Sequence, residues 1–236
     1  MIEELAATRK LLIASDFDGT LAEIVEDPEL ATPLTRSKAA LDALADSPGT
    51  TVAIISGRRR SELVERFDHP SFILIGEHGA DHGGGTGAES DSLAEGRILV
   101  DQLAQTVQGA IAEHKTRSVA FHYRLVEQPE QVVEELRRRA GAISGLRMIE
   151  GKKVIELTDS AVDKGTALIE LRRQVSPDRV AFMGDDVTDE TAFAVLQPGD
   201  VGIHVGLGPS QAGVTVPDPS SLADLLDTLV ALRTAG

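Results

Sequence analysis

The chain contains no cysteine and no tryptophan, and only seven of its 236 residues are aromatic, six Phe and one Tyr. Without cysteine, a disulfide scaffold, thiol catalysis and cysteine-ligated zinc are excluded. Basic residues are also scarce: 23 Lys and Arg stand against 38 Asp and Glu, a formal charge of −15. Such a chain lacks the basic surface that neutralises nucleic-acid phosphates or anionic membranes, so neither is an expected partner. A phosphorylated small molecule stays open, because it needs only a few local cations. No apolar run approaches the 18 or more residues of a membrane span. MIEELAATRK at the N-terminus has no signal-peptide core, so a cytoplasmic location is expected. Hydrophobic residues make up 42%, enough for a real core.

The apolar runs place the elements. Leu11 to Ser15 and Thr51 to Ile55 read as buried parallel strands, with Phe72 to Ile75 a third. Thr35 to Ala45 and Ser61 to Phe67 read as the helices between them. From Lys164 the same rhythm returns: helix Gly165–Arg173, strand Arg179–Met183, helix Thr188–Leu196, strand Val201–Val205 and helix Ser221–Leu232. Strand and helix alternating at this spacing predict an α/β fold, a parallel sheet with helices on both faces. Between the two stretches the rhythm changes. Gly83 to Gly87 is glycine-rich, Ile98, Leu99, Leu103, Val107 and Ile111 form a helical stripe, Ser118 to Tyr123 suits a strand and Pro129 to Ala142 a second helix. Arg147 to Ile149 and Val154 to Leu157 flank a hairpin turn. The expectation is a core of residues 1–81 and 158–236 interrupted by an α+β unit of residues 82–157.

The strongest local signal is Asp16-Phe17-Asp18-Gly19-Thr20 directly after the first strand. Open α/β sheets bind ligands at the carboxyl ends of their strands. Residues i and i+2 there can point the same way, so one carboxylate can act as a nucleophile and the other as a proton donor. An Asp-Gly turn with incidental acids is the plainer alternative. Three further segments weaken it. Ser56-Gly57-Arg58 ends the second strand with a hydroxyl suited to a phosphoryl oxygen. Asp163-Lys164-Gly165-Thr166 opens a helix with a cation beside a favourable dipole. Met183-Gly184-Asp185-Asp186-Val187-Thr188-Asp189-Glu190 offers oxygen ligands of the kind that suit Mg²⁺.

With these four motifs in this order the chain resembles the haloacid-dehalogenase superfamily of phosphatases. Within it, the chain is similar to the trehalose-6-phosphate phosphatase family over nearly its whole length. The segments that carry this are DFDGTLAEIVEDPELA from Asp16, GEHGA at 76–80, His122-Tyr123-Arg124, GKKVIEL at 151–157, GDDVTDETAF at 184–193 and VGLGPSQA at 205–212. The resemblance implies a Rossmann-like core with an inserted α+β cap. It also implies Mg²⁺-dependent hydrolysis of trehalose 6-phosphate through an aspartyl phosphate. Asp16 would be the nucleophile and Asp18 the general acid and then base. Asp185, with Asp16 and the main-chain carbonyl of Asp18, would bind Mg²⁺, supported by Asp186 and Asp189. Ser56 and Lys164 would hold the phosphoryl group with Arg58 beside it, and Glu113, Arg124, Lys152 and Glu156 would contact the sugar. After GEHGA the chain departs from the family pattern with Asp81-His82-Gly83.

Other features carry less. Glu113 on a helix or Lys152 in a turn is ordinary surface when taken alone. His78 and His82 are four residues apart, yet the glycines around them disfavour a helical metal face. The glycine run is not followed by Gly-Lys-Ser/Thr, so it is not a P-loop. With few aromatics, recognition of a sugar would rest on hydrogen bonds from acids, Lys and Arg. Rival readings are a phosphatase for sucrose 6-phosphate or glucosyl-3-phosphoglycerate, and a silent domain that regulates a trehalose-6-phosphate synthase. Functional coupling to such a synthase is the one protein partnership the resemblance suggests.

Overall fold

The computed structural model describes residues 1–81, 90–115, 117–159 and 162–234. In chain order the first stretch holds α1 (Ile2–Ala6), β1 (Leu11–Ser15), α2 (Thr35–Asp46), β2 (Thr50–Ile55), α3 (Arg60–Arg66) and β3 (Ile73–Ile75). Next come α4 (Asp91–Thr106), β4 (Ile111–His114), β5 (Ser118–His122), α5 (Glu130–Ala140), β6 (Leu146–Gly151) and β7 (Val154–Asp159). The chain ends with α6 (Lys164–Val175), β8 (Arg179–Gly184), α7 (Glu190–Phe193), β9 (Val201–Val205), β10 (Val214–Val216) and α8 (Pro219–Thr234). Two compact units result, one of Met1–Gly83 with Asp163–Gly236 and one of Gly84–Val162.

The first unit is built on a six-stranded sheet in the order β10-β9-β8-β1-β2-β3, with every pairing parallel. β1 is buried along its whole length, which is why LLIAS is a continuous apolar run rather than an alternating one. Apolar layers cover both faces. Leu41, Leu44, Leu222 and Leu226 of α2 and α8 lie on one, and Leu168, Leu171 and Phe193 of α6 and α7 on the other. The strand order reverses between β1 and β8, so the crevice at their carboxyl ends is where such sheets bind ligands. Asp16 and Asp185 follow those two strands.

The second unit is a four-stranded antiparallel sheet, β4-β5-β7-β6, with α4 and α5 packed on one face. Val119 and Phe121 of β5 and Ile155 and Leu157 of β7 face the helices. The opposite register row places Glu113, Ala120 and Glu156 side by side across three strands.

Three expectations change. Ile111 and Glu113 lie on strand β4, not on a helix: α4 ends at Thr106, and Gly109 takes a left-handed φ of 87° in the turn before β4. Ile98, expected on the buried stripe, is exposed. The helix expected over 188–196 is a 3₁₀ turn at Val187–Asp189 followed by the short α7. There the carboxylates of Asp186 and Asp189 take up main-chain N–H groups and tighten the first turn. β10 was not expected from its three-residue apolar pattern.

Candidate active site

Asp16 stands at the end of β1, its N–H still in the ladder to the carbonyl of Met183 at 2.9 Å. Its Oδ2 meets the ammonium of Lys164 at 2.9 Å, and the same ammonium donates to Asp189 Oδ1 at 2.7 Å. Lys164 is the first residue of α6, whose N-cap Asp163 accepts from the N–H of Thr166 at 2.7 Å. That cap starts the helix at the point that delivers the lysine into the crevice. Asp189 Oδ2 accepts from the N–H groups of Asp185 and Asp186, both at 3.0 Å. Both carboxylate oxygens of Asp189 are thus engaged within the protein, and it acts as the anchor of the cluster.

Two glycines make these approaches possible. A Cβ on Gly19 would collide with the Asp185 carboxylate, and one on Gly184 with that of Asp189. Thr20 completes the first motif by donating to Asp185 Oδ1 at 2.8 Å. Thr20 belongs to the motif that the sequence singles out, but its role appears only once β1 and β8 are adjacent.

Among the described residues, Asp16, Asp185 and Asp189 each offer an oxygen within 4.8 Å of the others. Asp186 and the Asp18 carboxylate are outside that group: Asp186 is exposed and its Oδ1 accepts from the N–H of Val187 at 2.7 Å. The fit to a divalent cation rests on two observations. Three carboxylates face one ammonium, which leaves a surplus of negative charge, and Asp16 Oδ1 is buried with no hydrogen-bond partner. A hard cation taking oxygen ligands satisfies both. The same surplus shows in the titration of these groups. Burial pushes Asp16 up to about 7, with Lys164 pulling down and Asp189 and Asp185 pushing further up. Burial likewise pushes Asp185 up to about 6, against the hydrogen bond from Thr20. Burial alone would lower Lys164, but the attraction of Asp16 and Asp189 outweighs it and holds the ammonium charged.

Ser56 is buried at the end of β2, and its Oγ accepts from the N–H of Arg58 at 3.3 Å. Arg58 itself points to Asp18: Nε and Nη2 donate to the two carboxylate oxygens, each at 2.6 Å. It also reaches the carbonyl of Pro28 at 2.6 Å and Glu62 at 3.2 Å, and lies over the Phe17 ring. The guanidinium is therefore a bidentate holder of Asp18 rather than an open anion contact.

In the second unit Glu113 pairs with His122 at 2.9 Å. Glu156 accepts from Ser118 Oγ at 2.5 Å and pairs with Lys115 at 2.9 Å. Arg124 and Lys152 are exposed in the turns after β5 and β6. The N–H of Tyr123 bonds the carbonyl of Lys153 at 3.0 Å, which joins those two turns. Lys115 is a residue that sequence reasoning missed. Its i+2 spacing from Glu113 is visible only when this segment is read as a strand. His82 and Gly83–Gly87 lie outside the described residues.

Comparison with known proteins extends this geometry. The trehalose-phosphatase family model matches residues 14–225. A trehalose-phosphate phosphatase of Mycobacterium avium is 37% identical over 211 residues, covering 83% of this chain and 54% of that protein. A bifunctional trehalose-6-phosphate synthase/phosphatase of Thermoproteus tenax is 33% identical over 241 residues, 96% of this chain and 33% of that protein. The chain thus spans about half, or less, of the length of these curated relatives. The C-terminal domain of Candida albicans trehalose-6-phosphate phosphatase superposes with a TM-score of 0.78 at 22% identity, covering 98% and 95% of the two chains. At that identity the likeness speaks for the fold, the haloacid-dehalogenase-like arrangement of a parallel core with an α+β insertion. A family match that runs through all four strand-end motifs and both units leaves one assignment: the chain belongs to the trehalose-phosphatase family.

Proposed function

We propose that the chain is a Mg²⁺-dependent phosphatase that hydrolyses trehalose 6-phosphate to trehalose and phosphate through an aspartyl phosphate on Asp16. The observation that carries this reading is the state of Asp16: one oxygen is held by a buried ammonium and the other is buried without a partner. With one carboxylate oxygen of Asp16 taken by a cation, the other, delivered from a strand end beside the Lys164 ammonium, is suited to attack phosphorus. Mg²⁺, held by Asp16, Asp185 and the carbonyl of Asp18 with Asp186 and Asp189 in support, would neutralise charge on the phosphoryl oxygens.

The protein's own groups divide the rest. Asp16 forms a bond to phosphorus as the bond to the sugar oxygen breaks, and Asp18 gives that oxygen a proton. Asp18 then takes a proton from the water that attacks phosphorus, which returns Asp16 as a free carboxylate and releases phosphate. Arg58 binds both oxygens of Asp18, so an oxygen that carries the proton must give up its guanidinium bond. Ser56 and Lys164 hold the phosphoryl group. Phosphate-monoester hydrolysis demands accelerations of up to ~10²¹, more than one acid or base supplies at ~10²–10⁴, so the parts act together. Glu113, Arg124, Lys152 and Glu156 are proposed to hydrogen-bond the sugar, the division of labour expected of a core and a cap.

Phosphate release from a panel of sugar phosphates tests the reading. Trehalose 6-phosphate should be turned over far faster than sucrose 6-phosphate, glucosyl-3-phosphoglycerate or glucose 6-phosphate, and only with Mg²⁺ present. Absence of turnover on every ester would favour a silent, regulatory domain. The fusion of a synthase and a phosphatase in the Thermoproteus tenax relative supports looking for a synthase as partner.

A further inference from the structure

Between β3 and residue 81 the chain makes a tight turn that the chemistry above does not use. Glu77 has a φ of 51° and His78 a φ of 57° with ψ 21°. Two successive residues with side chains thus sit in the left-handed region, which glycine occupies at no steric cost. Glycine is on both sides, at 76 and 79, yet not at the two positions where it would be easiest. The main-chain bonds of the turn do not explain this. The N–H of Glu77 donates to the carbonyl of Arg58 at 2.8 Å and that of His78 to the carbonyl of Ser56 at 2.9 Å, and glycines would make both.

The surroundings explain it better. The His78 imidazole packs on Gly57, so close that a Cβ there would come within 2.6 Å of Cε1 and Nε2. Gly57 is the residue between Ser56 and Arg58. On its other side the turn meets α6: a Cβ on Gly79 would stand 2.7 Å from the carbonyl oxygen of Asp163 and 2.9 Å from Ala167 Cβ. Asp163 is the N-cap that starts α6 at Lys164. One short turn therefore touches both segments that carry the phosphoryl-holding groups, by main-chain bonds to the Ser56 loop and by close packing on the Lys164 helix.

We infer that the Glu77–His78 turn is a strained clamp joining these two segments, and that His78 is a positioning residue whose imidazole presses on Gly57 to aim the Ser56 hydroxyl. This rests on the proposed phosphatase reading, in which Ser56 and Lys164 hold the phosphoryl group. A strained backbone pair persists only where the surroundings over-determine it, and such pairs concentrate at functional sites.

The test uses the full chain with Mg²⁺, the variants His78→Gly, Gly57→Ala and their combination, and three readouts: melting temperature, kcat/KM on p-nitrophenyl phosphate and trehalose 6-phosphate, and stabilisation by inorganic phosphate. His78→Gly relieves the backbone, so its Tm should hold or rise by about 2–4 °C. Its kcat/KM should nevertheless fall about 10-fold or more on both esters, with phosphate stabilisation weakened alongside. Gly57→Ala should lose activity because its Cβ meets the ring, and His78→Gly in the same chain should restore part of it. Normal kcat/KM and phosphate response in His78→Gly would overturn the proposal. So would a Tm that falls together with activity, or a double variant no better than Gly57→Ala. If the wild type turned over no ester, the phosphatase reading would fail. The clamp would then be judged on Tm and phosphate stabilisation, with weakened stabilisation in a protein of undiminished Tm supporting it and unchanged stabilisation overturning it.

Discussion

In the unit built on the parallel sheet, the Lys164 side chain is 1% exposed, between the side chains of Asp16 at 9% and Asp189 at 0%. In the α+β unit, the Glu113–His122 pair leaves its side chains 35% and 39% exposed. The first set of charges interacts with little solvent between the groups, so removing one leaves its partners stranded at high cost. The Glu113–His122 hydrogen bond lies where solvent reaches it, so incoming hydroxyls can take it over, whereas the Lys115–Glu156 pair of the same unit is more enclosed, at 15% and 13% exposed. On the proposed reading, the enclosed, charge-dense cluster serves what every phosphate monoester shares and the more open polar face what distinguishes one sugar from another.

Asp16→Asn should break the comparison most severely on the core side. Turnover should fall by about 10⁴-fold or more on trehalose 6-phosphate and on p-nitrophenyl phosphate alike, with no phosphoenzyme trapped. Residual activity near the wild-type level would remove the covalent step. Asp18→Asn should slow the sugar ester by ~10²–10⁴-fold, and less for the aryl ester, whose leaving group needs no proton. If Arg58 works through Asp18, Arg58→Ala should add little to Asp18→Asn in a double-mutant cycle. Additive losses would return Arg58 to the phosphoryl group.

Lys164→Ala leaves two buried carboxylates facing each other and should cost about 3–5 kcal/mol, read from urea unfolding without Mg²⁺. A surface-like cost below about 1 kcal/mol would contradict the burial described above. Glu156→Ala should act on the sugar side alone. A loss of ~1–3 kcal/mol per hydrogen-bonding group corresponds to roughly 10–100-fold in kcat/KM for trehalose 6-phosphate. Hydrolysis of p-nitrophenyl phosphate should stay within about twofold, and equal losses on both esters would refute the assignment.

The smallest effect is on pH. Asp16 and Asp185 titrate near 7 and 6 without a cation, above their unfolded values. Their contribution to stability is therefore present at low pH and lost as pH rises through those values. Mg²⁺ prefers the ionised carboxylates, so its thermal stabilisation should grow between about pH 5 and 8. A pH-independent shift would count against these acids as ligands.

Much of the site is legible before any folding is considered, and for a definite reason. A continuous apolar run followed at once by acids or a hydroxyl marks a buried strand delivering polar groups to one edge of a sheet. Asp16, Ser56 and Asp185 were found that way, and Lys164 from the capped start of a helix. The α+β unit was harder to read. Ile111 continues the helical spacing of the preceding stripe, so only pairing with β5 shows that Glu113 lies on a strand, with Lys115 just past its end. The short α7 was hidden because side-chain capping by Asp186 and Asp189 competes with regular helix geometry.

The sequence by itself determined the order of elements, the interrupted α/β plan and the placing of Asp16, Ser56 and Asp185 after strands and of Lys164 at a helix start, since these depend on local pattern and on where sheets expose their edges. Only the tertiary structure decided how those groups are shared. Pairing of β1 with β8 let Asp189 anchor Lys164 and Thr20 reach Asp185, and packing of the 76–80 turn brought His78 onto Gly57. Arg58 turned to Asp18 for the same reason: a charged side chain takes the partner that three-dimensional proximity offers, and residues 40 positions apart carry no local signal of that choice.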